Sequence, residues 1–494
     1  MLSWDILIFF IVSGATVLFG ASFFRKNTST SAYTSGEKKI PAWVAGLSIF
    51  ATYVSSISFL ALPGKTYQSN WNAFVFSLSI PLAAWIAVRF FIPLYRMVGS
   101  VSAYQYLESR FGLWARVYAA SCYLLTQWMR TGAILLLLAI PLQTAFGWNQ
   151  SWIILVTGLT VTAYAMMGGI RAVIWTDALQ ALILITGAIV VTFLLVFRIP
   201  GGIMEVFRIG TQGEKFDLGS FGASLSESTF WVVLVYGLFI NLQNFGIDQN
   251  YIQRYMVTGT ESGAKKSAWM GSMLYIPVSL LFCFIGTALY AYYNAYPDLL
   301  PPELKGPEAA DQVFPYFIVH DLPAGFTGLL VAALFAAGMS TISTSINSSA
   351  TILLTDFYKK FILAEPGNKK EMRVLYLSSL WVGLAGICIA LSLQGVKSIL
   401  DAWWALASVF SGGMLGLFLL GYLSDRTSSR HALVGVIAGV ISIGWLSLSP
   451  LLIKGGPWSA LANLFHPNLT IVFGTSVIFL TGFLLSYLAA NRKK

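Results

Sequence analysis

The sequence predicts an all-α membrane protein with about thirteen transmembrane helices, and three observations predict it. Only 10% of the 494 residues are charged and 57% are hydrophobic, whereas a soluble globular chain carries about 25% charged residues. The apolar residues come in runs of about 20, the length a helix needs to cross roughly 30 Å of hydrocarbon. The basic residues gather in alternate loops, so the net charge of +10 belongs to membrane topology and not to a nucleic-acid surface.

The expected spans lie near 4–24, 41–64, 71–95, 116–145, 151–168, 172–197, 229–247, 269–294, 324–354, 372–393, 399–422, 431–453 and 469–490. The first is expected to be a retained helix, because it lacks a small-residue cleavage site and leads into a second apolar segment. With the N-terminus outside, the clusters Arg25/Lys26, Lys38/Lys39, Arg96/Arg110/Arg116, Arg254/Lys265/Lys266, Lys359/Lys360/Lys369/Lys370 and Arg492/Lys493/Lys494 fall on the cytoplasmic side. Seven Lys and Arg fall outside, and two, Arg89 and Arg130, lie within spans. The orientation expected is therefore N-terminus outside and C-terminus cytoplasmic. Cys122, Cys283 and Cys388 sit in apolar segments without CxxC spacing, so neither a disulfide framework nor a thiolate metal site is expected.

Two spans contain interruptions. The second carries Ser55, Ser56 and Ser58, and the seventh carries Gly237, Asn241, Gln243, Asn244 and Gly246. A pair of broken helices in corresponding positions hints at inverted repeats around a site near the membrane midplane. Unwound carbonyls there suit a cation, and half-helix N-termini suit an anionic group; a serine-bent helix without a ligand is the plain alternative.

Ionisable and polar groups inside spans are functional candidates, because lipid offers them no partners. Asp177 lies early in the sixth span and could hold a hard cation through oxygen or pair with Arg171 at the interface. In the ninth span, Ser340, Ser343 or Thr344, and Asn347 recur at helical spacing on one face. Eight of the ten residues from Ser340 to Ser349 carry a hydroxyl or amide, which suits weak, reversible Na⁺ coordination better than small-residue packing. Arg130 lies mid-span, where leaving it unpaired costs at least about 2.5 kcal/mol. Its partner is either Asp248 or a substrate carboxylate.

No GxxxxGK[ST] phosphate loop occurs, which argues against ATP-driven transport by this chain. No HExxH motif or nucleophile–base cluster suggests an enzyme. A pore-lining hydroxyl helix would fit a channel, but two broken helices and a stranded arginine fit a saturable carrier better.

At these residues the chain resembles the bacterial sodium/solute symporter family. The resemblance is carried, in order, by Ala45–Tyr67 (AGLSIFATYVSSISFLALPGKTY), Gly168–Gln180 (GGIRAVIWTDALQ), Asp248–Tyr255 (DQNYIQRY) and the serine-rich ninth span. It implies a LeuT-like fold of two inverted five-helix repeats, residues 41–197 and 229–422, with an extra first helix and cytoplasmic loop in 1–40 and two C-terminal helices in 431–494. It further implies one Na⁺ site at the carbonyls of Ala51, Val54 and Ala337 with the hydroxyls of Ser340 and Thr341. A second, found in some members, would use Asp177, Ser340, Ser343 and Thr344. Within the family the chain is most similar to the sodium/sialic acid symporters, which implies substrate contacts at Ser55, Ser58, Ser77 and Arg130. The function expected is sodium-coupled import by alternating access of sialic acid or a related carboxylate. Ser77 stands where those transporters have a glutamine that helps hold the sugar, which keeps a neutral sugar as the alternative, with a non-transporting sensor or a channel behind it. One or two Na⁺ ions are the expected coupling ions, membrane lipid the expected surroundings, and a monomer the expected functional unit.

Overall fold

The computed structural model describes residues 3–23, 29–99, 101–306, 309–365, 367–394, 413–453 and 462–491, and among them every regular element is helical. The main helices are α1 (Ser3–Ala21), α2 (Ala42–Tyr53), α3 (Ser56–Gln68), α4 (Trp71–Val98), α5 (Leu113–Phe146), α6 (Gln150–Arg198) and α7 (Phe230–Ile247). They continue with α8 (Gln249–Met256), α9 (Glu261–Ala295), α10 (Phe326–Ile352), α11 (Asn368–Ser392), α12 (Gly413–Leu423), α13 (Ser429–Leu452) and α14 (Leu469–Asn491). Among the described residues, ten helices are long and apolar enough to cross a membrane, and the pair α2–α3, bent by 51°, passes the same test taken together, for up to eleven spans.

The remaining two expected spans have simple explanations. The fifth and sixth are joined in α6, whose 49 residues would stretch roughly 74 Å if straight. They do not run straight: Gly169 has φ 57° and ψ −162°, a non-helical break. A Cβ on Gly20 of α1 would lie 3.1 Å from Tyr164 and 3.0 Å from Thr176. In a continuous helix those two residues stand roughly 18 Å apart along the axis, so the arms of α6 must fold around Gly169. The eleventh expected span, 399–422, lies outside the described residues as far as 412; α12 is its described end.

Gly169 occupies a backbone region that is nearly closed to other residues. Gly169→Ala should therefore destabilise the protein by about 1–3 kcal/mol, read as a lowered thermal midpoint in detergent.

The centre of the bundle is α10, where every residue from Leu330 to Ile352 is buried. It packs against α1, α5 and α6, while α2 and α3 lie against α9. Close approach is built from small residues: a Cβ on Gly338 would come within 2.4 Å of Leu138 on α5. The first turn of α10 is capped by α1, since Asp5 Oδ1 accepts from the backbone N–H groups of Gly325 (2.7 Å) and Gly328 (3.1 Å). A carboxylate there satisfies orphan donors and complements the helix dipole. Asp5→Ala should cost about 1 kcal/mol in thermal stability while leaving the Na⁺ concentration for half-maximal stabilisation unchanged.

Candidate functional site

The first break follows from the serines that the sequence singles out. α2 ends at Tyr53, Val54 (φ −79°, ψ 112°) and Ser55 (φ −102°, ψ 169°) are extended, and α3 starts at Ser56. The Ser55 hydroxyl accepts from the Ser58 N–H at 3.4 Å, an N-cap that starts the new helix. The carbonyl end of α2 and the N–H end of α3 therefore face one another at Val54–Ser55, a place of opposite partial charges.

The second break corrects the sequence reading. The stretch from Gly237 to Gly246, expected to interrupt the seventh span, lies inside regular α7; the break falls after it, at Asp248 (φ −76°, ψ 125°). Asp248 accepts from the Asn250 N–H at 2.7 Å and so caps α8. Packing accounts for the polar and small residues of α7. A Cβ on Gly237 would meet the Phe76 carbonyl at 2.8 Å. Asn241 donates to Ser79 Oγ at 2.9 Å and accepts from the Tyr53 hydroxyl.

The carbonyl end of α2 meets the hydroxyl face of α10. Ser340 Oγ lies 3.4 Å from the Ala51 carbonyl, and Thr341 Oγ1 lies 3.2 Å from the Ala337 carbonyl. The Ser340–Ala51 approach is the one of these that crosses between the helices; the Thr341–Ala337 bond lies within α10, and Val54 is fully buried at the break. Oxygen donors without a full carboxylate charge fit a monovalent cation that must be released each cycle.

Asp177, on the second arm of α6, meets the same hydroxyl face. Its Oδ1 accepts from Ser340 Oγ at 2.9 Å, and its Oδ2 stands 3.5 Å from Thr344 Oγ1. Ser343 Oγ donates to the Ser340 carbonyl at 3.1 Å. The structure thus brings Asp177 to Ser340 and Thr344, while Ser343 is bonded within α10; Ser340 meets both Ala51 and Asp177. The ion pair expected as the alternative, Asp177 with Arg171, does not form among the described residues; Arg171 lies against Gly36 instead. The partner is Arg254 of α8, whose Nη2 lies 2.6 Å from Asp177 Oδ2, with both side chains fully buried. Arg254 Nη2 also donates to Thr344 Oγ1 at 2.6 Å, Nε to Ser48 Oγ at 2.7 Å, and Nη1 to the Asn250 carbonyl at 2.6 Å.

Charge alternation groups Arg254 and Arg116 with the loop residues, yet both are buried. Arg116 pairs at 2.5 Å with each of Asp356 and Glu108. Sequence reasoning missed Arg254 for that reason. The available signal was its place in a segment, Gln249–Met256, that carries no acid to pair with it.

Arg130 of α5 reaches the first break, its Nη2 donating to the Thr52 carbonyl at 3.2 Å. It feels the charge of Asp248, but the two form no ion pair among the described residues. The guanidinium thus sits at the last turn of α2, three residues before Ser55 in the chain. Ser77 of α4 is buried and accepts from Ser279 of α9 at 2.9 Å, so its hydroxyl is tied into the α4–α9 contact. Tyr53, unremarked in the sequence, joins the two breaks: its ring stacks on Phe245 at 5.4 Å and meets Tyr275 edge-on at 4.4 Å.

Residues 33–439 match the model of the sodium:solute symporter family. The chain belongs to that family. This symporter is 33% identical over 444 residues to the sodium/sialic acid symporter NanT of Aliivibrio fischeri, covering 88% of the chain and 86% of that relative. It is 28% identical to the sodium-coupled monocarboxylate transporter 1 of Xenopus laevis, covering 93% of the chain and 74% of the relative. Among solved structures it is similar to a substrate-bound, outward-open Na⁺-coupled sialic acid symporter, with a TM-score of 0.89, 30% identity and 98% of each chain covered. The expected fold class, an all-α membrane protein of the inverted-repeat symporter type, agrees with that likeness.

Proposed function

We propose that this symporter uses the inward Na⁺ gradient to import a small organic carboxylate, and that sialic acid is the first candidate. The observation that carries the reading is Arg130, a guanidinium inside the bundle that donates to the Thr52 carbonyl beside the broken helix and has no carboxylate bonded to it among the described residues. A substrate carboxylate between Arg130 and the hydroxyls of Ser55 and Ser58 would supply the missing negative charge. Arginine suits this role because its planar fork matches a carboxylate. The relatives named for sialic acid and for monocarboxylates support an acidic solute.

Two Na⁺ sites are proposed as coupling sites, one at Ala51, Val54, Ala337, Ser340 and Thr341, the other at Asp177, Ser340, Ser343 and Thr344. The first spans the break of α2–α3 and the rigid α10, so an ion there favours the arrangement in which the substrate residues are assembled. Substrate and ion then each strengthen the binding of the other, and the coupling is reciprocal. At 100 mV each inward Na⁺ adds about 2.3 kcal/mol to its concentration term.

The finer assignments follow the same reading. Residues 41–197 and 229–422 form the two inverted repeats, 1–40 and 431–494 are additions, the N-terminus faces outward and the C-terminus the cytoplasm of a bacterial cell. The protein works as a monomer in lipid. Ser77 bears on the solute: a buried serine held by Ser279 reaches less far than a glutamine, which favours a substrate held mainly through its carboxylate.

The test is a thermal-shift screen of the purified protein in Na⁺ and in K⁺ with sialic acids, neutral sugars and short carboxylates. A ligand that binds the folded state raises its stability by mass action. A Na⁺-dependent shift with sialic acid or another carboxylate is expected. A Na⁺-dependent shift with a neutral sugar alone would overturn the carboxylate assignment while leaving Na⁺ coupling intact.

A further inference from the structure

We infer that Arg254 is a tethered cation that competes with Na⁺ for the Asp177 site and thereby couples occupancy of that site to the position of α8. The inference rests on the second Na⁺ site proposed above.

The geometry sets up the competition. Nη2 of Arg254 lies 2.6 Å from Asp177 Oδ2 and 2.6 Å from Thr344 Oγ1. Those are two of the oxygens that a Na⁺ ion at Asp177, Ser340, Ser343 and Thr344 would need. A Na⁺ ion coordinates through lone pairs, and here the guanidinium N–H groups already use them. Two cations crowded onto one buried carboxylate also repel strongly, because the surroundings screen poorly. An ion drawn in on the Oδ1 side, where Ser340 Oγ lies 2.9 Å away, therefore gains its remaining ligands only as Nη2 withdraws.

The tether gives that exchange a mechanical consequence. Arg254 belongs to α8, the eight-residue helix that starts after the break at Asp248. Its guanidinium reaches across to Ser48 of α2, Asp177 of α6 and Thr344 of α10, and so pins α8 to three other helices at once. Releasing Nη2 from Asp177 and Thr344 removes two of those three attachments. Gln249, Asn250 and Gln253 also bond α8 to its surroundings, so the release loosens one anchor among several, and a short helix beyond an extended residue is an element that shifts when an anchor is lost. A fully buried ion pair is a poor choice for stability alone, since apolar side chains of like volume serve as well or better.

Reciprocity fixes the sign of the test: if Na⁺ weakens the pin, the pin weakens Na⁺ binding. Arg254→Met keeps the apolar stem and removes the competitor, so the Na⁺ concentration for half-maximal thermal stabilisation should fall about tenfold or more. Arg254→Lys, a point charge that cannot bridge Ser48 and Thr344 together, should lower it less. Wild-type protein supplies a second readout: amide hydrogen exchange in the 249–256 segment should be faster in Na⁺ than in K⁺. An unchanged or raised half-maximal Na⁺ concentration in Arg254→Met, or slower exchange of that segment in Na⁺, would overturn the competition. Asp177→Asn separates this from the site itself. Wild-type Na⁺ dependence in Asp177→Asn removes the second site and the competition with it. A lost Na⁺ component there, with no change in Arg254→Met, removes the competition alone.

Discussion

Asp177→Asn should reduce the sodium dependence of transport from about two coupled ions to about one. The amide keeps the shape of the carboxylate and loses its charge, so Ser340, Ser343 and Thr344 would be left to hold a cation without an anion. The first site proposed above, on α2 carbonyls and α10 hydroxyls, would retain all its ligands. The Hill slope for Na⁺ activation should fall and the charge moved per solute should drop by one, while saturable uptake persists. The variant also leaves Arg254 buried without a carboxylate, which costs on the order of 3–5 kcal/mol when one member of a buried pair is removed. The double variant Asp177→Asn/Arg254→Met should recover much of that stability and still lack the second ion. An unchanged Hill slope and charge-to-solute ratio in Asp177→Asn would contradict the two-site account.

Arg130→Ala should abolish binding of an acidic solute and spare a neutral one. Truncating one member of a buried, hydrogen-bonded charge pair costs about 2–5 kcal/mol or more, which corresponds to roughly a thirtyfold to several-thousandfold loss of affinity. Na⁺ binding in the absence of solute should change far less, because the guanidinium bonds the Thr52 carbonyl and not those of Ala51, Val54 or Ala337. Isothermal titration with a carboxylate and with its amide checks this directly. Equal loss of affinity for both ligands would make Arg130 a structural partner of the Thr52 carbonyl and Asp248.

The parts of the site that were legible in the sequence are those that announce themselves locally. Apolar runs marked the spans, Ser55 and Ser58 marked the first break, and an acid and a run of hydroxyls inside spans marked Asp177 and Ser340–Thr344. What escaped depends on contacts between distant segments. Arg254 reaches Asp177 across 77 positions, and charge alternation assigned it to a loop because a buried arginine and a loop arginine look alike in a sequence. Arg116 met the same fate, its partner Asp356 lying 240 positions away. The second break was misplaced because glycines and amides in α7 serve packing against Phe76 and Ser79, while the actual signal was a single residue. Asp248, an acid two positions before the N–H it accepts from, is an N-cap pattern that local reasoning can recognise. The two arms of α6 were legible as separate spans, but their junction through a single non-helical residue, Gly169, was not.

The most direct test of the central claim is uptake of labelled N-acetylneuraminate into proteoliposomes under an inward Na⁺ gradient, with and without an inside-negative voltage. The account predicts accumulation above equilibrium that needs Na⁺, collapses when K⁺ replaces it, and rises when the interior is made negative. Uptake that runs equally well in K⁺, or that only equilibrates whatever the Na⁺ gradient, would contradict sodium-coupled symport.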